Sequence, residues 1–178
     1  MAEKKILIAV DLQNDFIDGA LGTKEAEAIV PAAAARIREW REAGAEIFAT
    51  LDTHEANYME TREGKKLPVP HCIRGTEGWQ LNPVIREALG DCTIVEKPTF
   101  GSVRLPEMIR DRIGPEENVT IELLGLCTDI CVVSNALLLK ASFPEASIRV
   151  NSACCAGVTP EKHRAALETM ASCQIEIL

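Results

Sequence analysis

The group in this chain best placed to act as a nucleophile is Cys131, in the stretch Gly125-Leu126-Cys127-Thr128-Asp129-Ile130-Cys131. The stretch follows an apolar run over 119–124 that reads as a buried strand, and it precedes apolar residues over 132–139 at helical spacing. Thr128 or Asp129 is a suitable helix N-cap, which places Cys131 in the first helical turn. The unpaired N–H groups and the positive dipole end of that turn bias a thiol toward thiolate. Asp11, Asp52 and Lys97 fall at the carboxyl ends of three other predicted strands, over 4–10, 46–51 and 92–96. Taken singly, a cysteine in an apolar segment is ordinarily core, a strand-end Asp a turn residue and a strand-end Lys a solvated one. Jointly they suit covalent acyl transfer. Cys131 attacks, Asp11 serves as general base and then general acid, and Lys97 pairs with Asp11 and holds it. The backbone N–H groups of Cys127 and Cys131 can receive the developing oxyanion, each worth about 3 kcal/mol in a dry site.

A second constellation lies in the long loop over 53–80. Asp52-Thr53-His54 sets a carboxylate and an imidazole two residues apart, able to face one side of an extended segment. His71 follows the stiff Pro68-Val69-Pro70 segment, and Glu60 or Glu63 can add an oxygen. Such a mixed His/carboxylate set suits Zn, Mn or Fe, with open positions for water or substrate. The third histidine, His163, falls in a predicted helix and is read as structural.

These groups require a scaffold that brings strand ends together. Six predicted strands, over 4–10, 46–51, 92–96, 119–124, 147–151 and 174–178, alternate with helices over 30–43, 82–89, 103–113, 132–139 and 160–172. Pro31 is assigned to the first turn of its helix, and Gly44 lies just past its end. The strands are largely continuous apolar runs, which argues for an α/β domain with a mostly parallel sheet covered on both faces. Ligands then bind outside the carboxyl ends of the strands, at the topological switch point. At 178 residues, the span 1–178 reads as a single domain.

Composition narrows the partners. The net charge of −8 argues against nucleic acid and anionic membranes, and 4% aromatic residues against a stacking platform for single strands. No apolar run reaches spanning length, and Met1-Ala2-Glu3-Lys4-Lys5 leads straight into a strand without room for a secretory signal. The seven cysteines sit mostly within predicted elements, and neither Cys127–Cys131 nor Cys154–Cys155 has zinc-knuckle spacing. The expectation is a cytoplasmic protein with reduced thiols that acts on a small molecule.

Five segments in this order resemble the nicotinamidase/isochorismatase-like cysteine hydrolases over nearly the whole chain. They are Val10-Asp11-Leu12-Gln13-Asn14-Asp15-Phe16, Asp52-Thr53-His54, Pro70-His71-Cys72-Ile73-Arg74-Gly75-Thr76, Glu96-Lys97, and Gly125 through Val132. The resemblance implies a Rossmann-like three-layer α/β/α fold and an Asp–Lys–Cys set at Asp11, Lys97 and Cys131. It also implies a cis peptide at Leu126–Cys127 and Phe16 packed on the substrate ring. Asp52, His54 and His71 look like the nicotinamidase branch, in which a metal binds the pyridine nitrogen; zinc is the first expectation for this chain, ahead of manganese or iron. The remaining ligand looks similar to Glu63, with Glu60 as the alternative, since no His lies between His54 and His71. The implied reaction is nicotinamide to nicotinate and ammonia through a cysteine thioester, in a homo-oligomer. The rivals are a hydrolase of the same fold acting on another amide or carbamoyl compound, and a non-catalytic thiol protein using Cys127 and Cys131.

Overall fold

The computed structural model describes residues 3–113 and 118–178; Met1 and Ala2, part of the N-terminal stretch read above, lie outside them. Six strands, β1 (Lys4–Val10), β2 (Glu46–Asp52), β3 (Thr93–Lys97), β4 (Val119–Leu126), β5 (Ser147–Ala156) and β6 (Glu176–Ile177), form one sheet in the order β3-β2-β1-β4-β5-β6. Every neighbouring pair is parallel. The helices are α1 (Asn14–Ile17), α2 (Lys24–Glu42), α3 (Arg62–Lys66), α4 (Pro83–Leu89), α5 (Arg104–Ile113), α6 (Val133–Ser142) and α7 (Pro160–Ser172). Helix α2 packs with α4, and α6 packs with α5 and α7, giving the three layers the strand pattern predicts. β1 and β4 carry apolar residues buried on both faces, as helices on each side require. None of the helices among the described residues is long and apolar enough to cross a membrane.

The chain leaves β1 toward β2 on one side and returns to add β4 on the other. The switch point therefore lies between β1 and β4, where a crevice opens at the carboxyl ends. Gly125 makes this junction possible. Its φ is +125°, and a Cβ built there would sit 2.1 Å from the Val10 carbonyl oxygen of the neighbouring strand.

Several elements differ from the expectation. Helix α2 starts at Lys24 rather than at residue 30, capped by Thr23, whose Oγ1 accepts from Ala26 N at 3.0 Å. Pro31 is thus interior, not in the first turn. The helix tolerates it because Ala26, Ile29, Val30, Ala33, Ala34, Ile37 and Trp40 bury a continuous face. β5 runs to Ala156 rather than 151, with a register irregularity opposite Leu123 and Gly125. β6 is confined to two residues. The long loop is not structureless, since it holds a 3-10 turn (Tyr58–Glu60) and α3.

Gly125→Ala is expected to cost about 3 kcal/mol or more in urea unfolding, because backbone must move. Gly44→Ala, also at positive φ (+77°) but with nothing within 4 Å of the added carbon, is expected to cost only about 1–2 kcal/mol. Equal losses at both positions would remove the steric argument.

Candidate active site

Four strand ends supply the site. Asp11 follows β1, Asp52 and Lys97 end β2 and β3, and Cys131 lies just beyond β4. Register places Asp52 beside Lys97. Lys97 Nζ sits 2.6 Å from Asp11 Oδ2, 3.4 Å from Cys131 Sγ and 3.6 Å from Asp52 Oδ1. It also donates to the Thr99 carbonyl at 3.1 Å. The other oxygen of Asp11, Oδ1, accepts from Thr50 Oγ1 at 2.6 Å, and the Asp11 N–H reaches Thr50 O at 3.2 Å. Asp11 has φ +48°, a left-handed conformation that Asp tolerates better than most residues and that turns its carboxylate off the strand axis.

Gln13 aligns the two acidic strand ends. It accepts from Asp52 N at 2.8 Å and donates to the carbonyls of Asp52 and Trp79, both at 2.9 Å. Asn135, fully buried, does the same for the nucleophile turn. Its Nδ2 donates to Cys131 O at 2.8 Å and Phe100 O at 3.2 Å, and its Oδ1 accepts from Ser102 N at 2.9 Å.

Cys131 does not sit in the first turn of a capped α-helix. Thr128–Val132 form a π-helical turn with Cys127 at the N-cap position, and α6 follows. The Leu126–Cys127 peptide is cis. The Cys127 carbonyl accepts from Ile130 N and Val132 N, each at 3.1 Å, on either side of Cys131. The thiol also differs from the expected thiolate. Burial pushes it well above its ordinary value and the Asp11 charge adds to this, with Lys97 opposing. Burial raises Asp11 against the pull of Lys97. Burial alone would lower Lys97, but Asp11, Cys131 and Asp52 outweigh it and hold the ammonium charged. Desolvation outweighs the helix-start effect on which the expectation rested.

On the far side of Asp52 lies a second cluster. Asp52, His54 and His71 are all buried, and their ligand atoms lie within 4.8 Å of one another. His54 Nε2 is 3.0 Å and His71 Nε2 3.5 Å from Asp52 Oδ2. Glu63 Oε1 is 3.7 and 4.0 Å from the same two nitrogens, whereas Glu60 is exposed in its 3-10 turn. Of the two glutamates, Glu63 faces the imidazoles. These spacings bracket the roughly 3.4 Å edge of a tetrahedron with ~2.1 Å ligand bonds. His71 Nδ1 lies 2.8 Å from the Val69 carbonyl, which accepts its N–H and leaves Nε2 to ligate. The donor set therefore fits a divalent cation of the zinc type. Burial raises Asp52, but bonds from His54 and His71 and the charge of Lys97 overcome it and hold its carboxyl far below the usual range.

Both clusters open on one cavity of about 230 Å³. Phe16, Leu126, Ile130 and Phe100 wall it, with Asp52, Glu63, His71, Cys127 and Cys131 also on its surface. Phe16 lies with its ring centroid 5.6 Å from that of His71. His163 stands outside, its Nδ1 2.7 Å from Thr128 Oγ1, where it steadies the π-turn. Thr50, Gln13, Asn135 and Tyr58 are the contributors that sequence reasoning missed. Gln13 lies inside a quoted motif, but its partners are 39 and 66 residues away.

A doubly wound parallel sheet with a cysteine, an acid and a lysine gathered at its switch point defines a hydrolase-type α/β site. The chain matches the Isochorismatase domain over residues 5–178 and belongs to that family. It is 30% identical over 146 residues to an uncharacterized isochorismatase family protein, PncA, of Bacillus subtilis, covering 75% of this chain and 77% of that one. It is 27% identical over 155 residues to the nicotinamidase of Escherichia coli, covering 72% of each. The crystal structure of a pyrazinamidase of Pyrococcus horikoshii in complex with zinc superposes with a TM-score of 0.82 at 29% identity, covering 98% of both chains.

Asn135→Ala strands the Ser102 N–H and the Cys131 carbonyl. It is expected to cost about 1–3 kcal/mol in chemical denaturation. A loss below ~0.5 kcal/mol would mean that these bonds do not hold the turn.

Proposed function

We propose that this amide-cleaving hydrolase converts nicotinamide to nicotinate and ammonia. The observation that carries the reading is one ammonium, Lys97, 2.6 Å from an acid and 3.4 Å from a thiol that lines a cavity onto which Asp52 and His71 of the Asp52–His54–His71 cluster also open. The relatives named nicotinamidase and pyrazinamidase support it. At about 230 Å³ the cavity is smaller than the roughly 300–1,000 Å³ of drug-sized sites, which suits a single ring with a short substituent.

Cys131 Sγ attacks the amide carbon while its proton passes to Asp11, which shares the Lys97 ammonium with the thiol. A protonated thiol at rest makes this base necessary. The carbonyl oxygen takes up the negative charge and is received by the N–H groups of Cys127 and Cys131. Asp11 then gives its proton to the amine, the C–N bond breaks, and ammonia leaves behind a thioester. Water enters, loses a proton to Asp11 and attacks the thioester carbon. The sulfur departs, recovers the proton and releases nicotinate. Lys97 keeps Asp11 in place throughout. Phe16 packs against the ring. Asp52, His54, Glu63 and His71 would hold the divalent metal, zinc first with manganese or iron also suited, which when bound supplies a Lewis-acid anchor for the pyridine nitrogen.

Cys131→Ala is expected to lower ammonia release from nicotinamide by at least about a thousandfold, and Asp11→Asn by about a hundredfold or more, with the fold intact by circular dichroism. Near-normal turnover in either variant removes that residue from the mechanism. Assaying a panel of other ring amides and carbamoyl compounds beside nicotinamide tests the substrate, and a larger kcat/KM for one of them would reassign it. For the metal, Glu63→Gln is expected to weaken zinc binding about tenfold or more, and Glu60→Gln less than about twofold. Chelation with confirmed metal loss is expected to raise KM more than it lowers the melting temperature. An unchanged KM would count against the anchoring role.

A further inference from the structure

Tyr58 is 1% exposed and offers no atom to the donor set, yet it touches both imidazoles. Its ring centroid lies 4.7 Å from that of His54, tilted 59°, and 5.0 Å from that of His71, at 75°. The two imidazoles are themselves 4.9 Å apart at 74°, so the three rings form a closed triangle. Tilted and edge-on contacts at these spacings fix ring planes as well as positions. The phenol is pinned in turn, its hydroxyl donating to the Leu67 carbonyl at 2.9 Å. Leu67 lines the substrate cavity. The Tyr58 backbone is tied to the helix that carries Glu63. Thr61 Oγ1 donates to Tyr58 O at 2.6 Å and accepts from Gly64 N at 3.0 Å. A Cβ at Gly64 would meet the Tyr58 carbonyl oxygen at 2.1 Å, so the close approach requires glycine.

We propose that Tyr58 is the positioning residue of the metal centre, its ring setting the planes of His54 and His71 and its hydroxyl fixing the Leu67 wall of the substrate cavity. The inference rests on the metal reading of the site given above, and it assigns two separable tasks to one side chain. Tyr58→Leu removes the ring and the hydroxyl. Tyr58→Phe removes only the hydroxyl.

Zinc affinity of the full chain, measured by competition with a chromophoric chelator, separates these tasks. Tyr58→Leu is expected to bind zinc about 10–100-fold more weakly than wild type, the range found when groups that orient metal ligands are lost. Tyr58→Phe is expected to keep zinc affinity within about threefold while raising KM for nicotinamide about threefold or more. Leu139→Ala, a buried cavity variant in α6, serves as the stability control. It is expected to lower the melting temperature but leave zinc affinity within about threefold. Zinc affinity of Tyr58→Leu within threefold of wild type, or an equal loss in the Leu139 control, would overturn the proposal. If Tyr58→Leu does not fold, Tyr58→Phe decides, and no change in either zinc affinity or KM would overturn the proposal. Wild-type chain that fails to bind zinc would instead overturn the metal reading itself, and this inference with it.

Discussion

Burying a lysine is unfavourable unless its charge is met, and Lys97 is only 1% exposed. Its partners are Asp11 at 2.6 Å, Cys131 at 3.4 Å and Asp52 at 3.6 Å, so each cluster at the sheet rim is defined relative to this one ammonium. The strand order explains why the residue is a lysine. β3 is separated from β1 by β2, and strands lie about 4.8 Å apart, so a group on β3 must reach roughly 10 Å to meet an acid on β1. Side chains at the two ends share that distance, and a flexible four-carbon stem passes over Asp52 on the way. An arginine would bring a rigid fork too broad for three partners at different angles. Two carboxylates facing each other without the ammonium would each resist ionisation, and the acid at Asp11 would lose its orientation.

The backbone is shaped around the same demand. Gly125 admits β4 against Val10, and the left-handed turn at Asp11 releases the carboxylate from the strand direction. Gln13 then continues the sheet by side chain where the main chain has left it. It bonds both the N–H and the C=O of Asp52, as a neighbouring strand residue would. The position of Asp52 relative to the end of β1 is consequently held by two bonds through one amide, which a third bond ties to the Trp79 carbonyl. Such precision matters because Asp52 faces two ways, with Oδ1 toward Lys97 and Oδ2 toward His54 and His71.

Legibility in the sequence followed the range of each interaction. Alternating apolar runs and helical periods are local, so the layers, the six strands and the strand-end placement of Asp11, Asp52 and Lys97 could be read directly. The start of α2 could not, because Lys24-Glu25-Ala26-Glu27 shows no apolar stripe and Pro31 mimics an N-terminal signal; its packing face settles the matter. Glu63 and Glu60 are equivalent by spacing. What separates them is the 3-10 turn followed by α3, which points one glutamate inward and leaves the other exposed. Thr50, Asn135 and Tyr58 carry no local mark, since their partners are remote in sequence or face a site assembled from several segments. The thiol expectation failed for a related reason. A helix start is visible in sequence, whereas the depth at which it is buried is not.

The π-helical turn also suits the oxyanion role proposed for it. A helix N-terminus leaves donors that its own side chains ordinarily satisfy. Here Cys127 stands at the N-cap position without a side-chain bond to the turn, and Thr128 and Asp129 are turned to other tasks. Thr128 pairs with His163, and Asp129 accepts from Val158 N at 2.9 Å. Ser134 donates to the Ile130 carbonyl at 2.6 Å, and Asn135 holds that of Cys131. The turn is therefore braced from its flanks and its carbonyl side, so its rigidity does not depend on a side-chain cap at Cys127. A serine or aspartate at position 127 would cap the N–H groups of the turn and compete with the oxyanion proposed to bind there, while the thiol of Cys127 accepts only weakly.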